Sequence, residues 1–97
     1  MNENYSPNNH NTFKSASIQL TAAILSELPD SNLLGFEDDL LDNRKKIILI
    51  SYPKSQEFEL NKIIQDFGNK VLTVNLFYYN RNLNYLRDKL FNKKTER

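Results

Sequence analysis

Cysteine and tryptophan are absent from this 97-residue chain, glycine occurs twice and histidine once. Without cysteine there are no disulfides, no thiolate nucleophile and none of the usual zinc sites, a pattern expected of a reducing compartment. The two glycines, Gly35 and Gly68, stand far apart, so neither a Walker loop nor a dinucleotide fingerprint can be written. His10 falls in an Asn-rich N-terminal segment and no serine has an evident partner base. Catalytic residues are therefore not expected, and neither are a metal or a cofactor. No run approaches the roughly 18 apolar residues of a membrane span, and residues 1 to 7 have neither the basic start nor the apolar stretch of a secretion signal. The expectation is a small soluble cytoplasmic protein with no membrane contact.

Charge is missing from one further place. Residues 15 to 26 read as a helix yet carry no charged side chain, in a chain that is 26% charged. If residues 13 to 28 are helical, Phe13, Ala16, Leu20, Ala23 and Ile24 line one face, and Ile18, Ala22 and Leu25 form a second stripe nearly opposite. The first stripe suits the chain's own core. The second needs another cover, and a two-fold contact with a second copy provides it, so a homodimer joined through Ile18, Ala22 and Leu25 is expected.

All 29 Ile, Leu, Val and Phe residues fall between Phe13 and Phe91. This marks a single α/β domain over residues 13 to 91, with a disordered tail at 1 to 12 and a basic flexible tail at 92 to 97. Within the domain, Ile47 to Ile50 form an uninterrupted β-rich run, as in a strand apolar on both faces and central in a covered sheet. Ser55 suits an N-cap, Glu57 and Glu59 a first turn, and Leu60, Ile63, Ile64 and Phe67 a buried helical stripe closed by Gly68. Residues 71 to 79 alternate as a second strand, and Asn80 or Asn82 can cap a last helix whose buried stripe is Leu83, Leu86 and Leu90. The implied fold is a small, mainly parallel sheet with a βαβα C-terminal half preceded by an N-terminal helix. Residues 31 to 43 stay open between a short helix and an edge strand through Leu33, Leu34 and Phe36.

The net charge of +1 conceals a division along the chain. Residues 1 to 43 carry one lysine against seven acids, a net of −6, and residues 44 to 97 carry twelve bases against five acids, a net of +7. The acids Glu37, Asp38, Asp39 and Asp42 lack the spaced oxygens and sharp glycine turn of a cation loop, and read as a solvated face. On the last helix Arg81, Tyr85 and Lys89 share one side, and Lys93 and Lys94 continue the charge, a combination that meets an acidic protein or stacks and neutralises nucleic acid. Lys54 and Ser55, between a strand and a helix, form a candidate anion site. Phe58 lies off its helix's apolar stripe and is expected to fold back over Tyr52 and Pro53. The function these features imply is a non-catalytic binding or regulatory protein acting by self-association and docking to a macromolecular protein partner. The alternative is a nucleic-acid binder using the basic face of the last helix and the C-terminal tail.

Overall fold

A computed structural model describes residues 9–42 and 45–91 of the chain. The elements run β1 (His10–Ser15), α1 (Ile18–Glu27), β2 (Asn32–Asp38), β3 (Lys46–Pro53), a single 3-10 turn (Lys54–Gln56), α2 (Glu57–Gly68) and α3 (Leu76–Phe91). The three strands form one sheet in the order β1-β3-β2, and β3 is antiparallel to both neighbours. The mainly parallel sheet and the βαβα half expected from the sequence are therefore not what forms. The run at 47 to 50 does occupy the central strand, but its neighbours come from residues 10 to 15 and 32 to 38. Antiparallel pairing with β2 needs only the short connection after Asp38, whereas a parallel partner would need a crossover.

Residues 71 to 75, read from their alternation as the start of a strand, form an extended connection outside the sheet, with Leu72 and Val74 turned inward. Asn75 sets the point at which helix begins. Its side-chain oxygen accepts from the N–H of Tyr78 at 3.1 Å, and its own N–H donates to Glu27 at 3.2 Å. The last helix is thus capped at Asn75, ahead of Asn80 and Asn82, and Tyr79 joins Leu83, Leu86 and Leu90 in the buried stripe.

The N-terminal expectation shifts in the same way. Residues 10 to 12, assigned by composition to a tail, lie in β1, and Phe13 enters the core from that strand, paired with Ile50. Ser17 caps α1, accepting from the N–H of Leu20 at 3.0 Å. Residues 1–8 and 92–97, the rest of the two expected tails, lie outside the described residues.

All three helices pack on one face of the sheet, with α1 between the other two. Ile24 and Leu28 of α1 meet Leu60 and Ile63 of α2 over Ile50 and Tyr52. Ala22 meets Leu86 of α3 over Ile48. This arrangement explains the charge-free helix: Thr21, Ala22, Ala23 and Ile24 are consecutive and all buried. The polar groups in α1 are satisfied locally, as where Thr21 Oγ1 donates to the Ser17 carbonyl at 2.8 Å and Ser26 Oγ to that of Ala23 at 3.0 Å. Each fully buried Ile or Leu contributes about 1.5–3 kcal/mol, while an exposed ion pair such as Lys14–Glu37 contributes about 0–1 kcal/mol. Apolar burial around α1 therefore dominates the stability.

Ile18, Ala22 and Leu25, expected to face a second copy, are covered by this packing. Ala22 is fully buried, and Ile18 and Leu25 are half-buried in the cluster that contains Ile48 and Leu86. The partner of the second stripe is α3 of the same chain, so these residues offer little surface for a dimer.

Two backbone positions have positive φ, one at a glycine and one at a lysine. Of the segment left open by the sequence, Asn32–Asp38 forms the edge strand, with a register shift between Leu33 and Gly35 that leaves Leu34 as the extra residue. Gly35 has φ 154, a conformation that side chains rarely adopt. At the end of α2, Asn69 caps the helix and Lys70, not Gly68, takes the left-handed position at φ 62. The N–H of Lys70 donates to Phe67 O and that of Val71 to Asp66 O, the double bond of a Schellman motif whose usual residue at that point is glycine. Gly35→Ala should therefore destabilise the fold by about 1–2 kcal/mol, and Lys70→Gly should stabilise it by about 0.5–1 kcal/mol, both read from urea unfolding midpoints.

Tyr52 ties three elements together. Its hydroxyl donates to Glu57 Oε1 at 2.8 Å, and Asn11 Nδ2 donates to the same carboxylate at 3.2 Å. Burial first, and then the bond to Glu57 and its charge, push the phenol above its ordinary 10.0, opposed by the bond from Asn11. A raised pKa means that the folded state favours the neutral phenol. Its contribution is complete below pH 10 and is lost as pH rises through the folded value. Tyr52→Phe should cost about 1 kcal/mol at neutral pH and should flatten the fall in stability above pH 10.

Candidate interaction surface on the last helix

The inner stripe of α3 commits four side chains to α1 and the sheet, which leaves the opposite side to solvent. Phe77, Arg81 and Tyr85 recur there at four-residue intervals, with Tyr78 and Lys89 beside them. Phe77 is 68% exposed, and Leu76 and Phe91 at the helix ends are 67% and 61% exposed. Five large apolar or aromatic side chains on one helix are thus exposed, Tyr78 and Tyr85 being the other two.

The cations on this side lie against the rings. The Arg81 guanidinium is 5.0 Å from the Tyr78 ring centre and 5.9 Å from that of Phe77, and the two rings meet edge to face at 5.3 Å. Lys89 Nζ lies 5.4 Å from the centre of Tyr85. Such contacts are worth about 0.5–1 kcal/mol at an exposed site and bias the cations toward the rings. Arg81, Tyr78 and Asn82 also border a shallow groove of about 330 Å³ against Leu25, Ser26 and Pro29 at the end of α1.

Of the residues expected to form this surface, Arg81, Tyr85 and Lys89 are brought together, while Lys93 and Lys94 lie outside the described residues. Phe77 and Tyr78 are additions. Their β-rich run hides them as a strand, although the interval from Phe77 to Arg81 to Tyr85 already continues the helical period backwards.

The candidate anion site does not assemble. Lys54 and Ser55 are exposed on the 3-10 turn, Gln56 rather than Ser55 occupies the cap position of α2, and Glu57 and Glu59 fill its first turn. Two carboxylates at the positive end of the helix already answer its dipole and repel a further anion. An antiparallel sheet also lacks the crevice that parallel strands leave at their carboxyl ends. The acidic segment is engaged as a surface: Glu37 pairs with Lys14 at 3.2 Å, Asp38 with Lys46, and Asp39 Oδ1 accepts from the N–H of Leu41 at 2.9 Å. Among the described residues no group of three His, Cys, Asp or Glu is placed to hold a metal ion, and no helix is long and apolar enough to cross a membrane. Phe58 does not fold back over Tyr52 and Pro53; it is 76% exposed.

Because the inner side of α1 and α3 is intramolecular core, changing Ile18 and Leu25 to lysine should lower the free energy of unfolding by roughly 1–3 kcal/mol for each substitution, read from urea unfolding. Sedimentation of the folded fraction should give an unchanged mass. No protein-family model, curated protein or solved structure matches this chain.

Proposed function

We propose that the chain is a non-catalytic binding protein that docks a protein partner through the outer side of α3. One observation supports this reading above the others: Phe77, Tyr78 and Tyr85 stand exposed with Arg81 and Lys89 held against them. Rigid aromatics and an oriented arginine are the residue types that supply most of the binding energy at protein interfaces, because they bury much area for little lost freedom. The matching surface on the partner is apolar at its centre with carboxylates at its margin, to meet Arg81 and Lys89.

A polyanion is the less favoured partner, since α3 itself carries only three bases against Asp88 while exposing Leu76, Phe77 and Phe91. The two partners differ in salt dependence. Capture from the native host's extract after nuclease treatment, followed by titration of the purified partner, should show one protein whose affinity falls at least tenfold on combining Phe77→Ala with Arg81→Ala. Its affinity should change little between 50 and 200 mM salt, where a nucleic-acid contact of several phosphates would lose about a thousandfold or more. Capture abolished by nuclease, or an affinity indifferent to the double variant, would overturn the reading.

A further inference from the structure

On the other side of α1 from that groove, a cleft of about 370 Å³ opens where the three helices meet the connection between α2 and α3. Ala23 comes from α1, Phe67 from α2, Leu72 and Val74 from the connection, and Tyr79 from α3. Lys70 completes the lining and is its only charged member. The size lies at the lower end of small-molecule sites, enough for about a dozen non-hydrogen atoms at roughly 30 Å³ each.

Two features make Lys70 more than a passing surface residue. Its left-handed backbone at the cap of α2 places the residue on the rim of the cleft. Among the described residues no carboxylate lies within ion-pair distance of its ammonium, as is also the case for Lys45 and Lys54, but of these lysines Lys70 is the one that borders the cleft. An apolar floor with one uncompensated cation at the rim defines the chemistry of the guest.

We propose that the cleft binds a small amphipathic carboxylate, with its apolar body against Phe67, Leu72 and Val74 and its carboxylate on the Lys70 ammonium. The body displaces water from the apolar walls. The head supplies a counter-charge that none of the described residues does, and a neutral ligand of the same shape gains only the first of these.

2-Naphthoate and its uncharged counterpart 2-naphthamide are suitable probes with the full chain. Titration followed by amide NMR should give saturable one-to-one binding of naphthoate, with shifts confined to Ala23, residues 67 to 74 and Tyr79, and naphthamide at least tenfold weaker. Lys70→Gln should reduce naphthoate to the affinity of naphthamide. Lys70→Gly should weaken naphthoate equally while raising the unfolding midpoint, which separates loss of the cation from loss of structure. Val74→Trp should fill the cleft and abolish binding of both probes. Absence of saturable binding, shifts located elsewhere, or naphthoate affinity unchanged in Lys70→Gln would overturn the assignment. Phe77→Ala with Arg81→Ala should leave naphthoate binding intact, since those side chains do not line the cleft.

Discussion

The architecture arises from one requirement, that a helix with no charge before its last residue must be covered on more than one side. Residues 18 to 27 contain nothing that water would hold at the surface except short hydroxyls and two polar residues, Gln19 and Glu27, near the ends. A single sheet can cover only one side of such a rod. The chain meets the remainder by placing α2 along one flank of α1 and α3 along the other, so that four successive residues disappear from solvent. The hydroxyls are compatible with this because they return hydrogen bonds to the preceding turn, which leaves no buried donor without an acceptor at Thr21.

The central position of β3 is the second half of the same solution. Its inward residues Ile48, Ile50 and Tyr52 reach both helix pairs at once, which joins the two apolar clusters into one layer. Its outward residues Ile47 and Leu49 are only half-buried, and no helix among the described residues lies over them. Lys14, Glu37, Lys46 and Asp38 border this outer surface or its end with paired charges, so that its apolar centre is narrow. The covering of one face and the charging of the other match the ordinary division of labour in an antiparallel sheet.

The features legible in the sequence are those that local pattern alone determines. The stripe Leu60, Ile63, Ile64 and Phe67 announces α2, the unbroken Ile47 to Ile50 announces the central strand, and the absence of charge announces that α1 needs two covers. Direction and partnership are not local properties. Nothing in Ile47 to Ile50 states whether its neighbours run parallel, and β1 shows only Phe13 as an inward apolar residue behind a run of asparagines. Residues 76 to 79 carry strand-forming side chains that become helical because Asn75 caps them and Tyr79 finds α1, a tertiary override of local preference. The same override gives the second cover of α1 to α3 instead of another copy. The outer surface of α3 is half visible in the sequence, since Arg81, Tyr85 and Lys89 keep the helical period, and half concealed, since Phe77 and Tyr78 sit in a run that resembles a strand.

The strand order has a bearing on how the molecule is born. β1 and α1 leave the ribosome ahead of the other elements, yet the strand that pairs with β1 is complete only at Pro53, and the helix that sheathes α1 only at Phe91. During synthesis α1 therefore gains its first flank with α2 and its last only when Phe91 has emerged, so that the segment least compatible with water is the last to be fully covered.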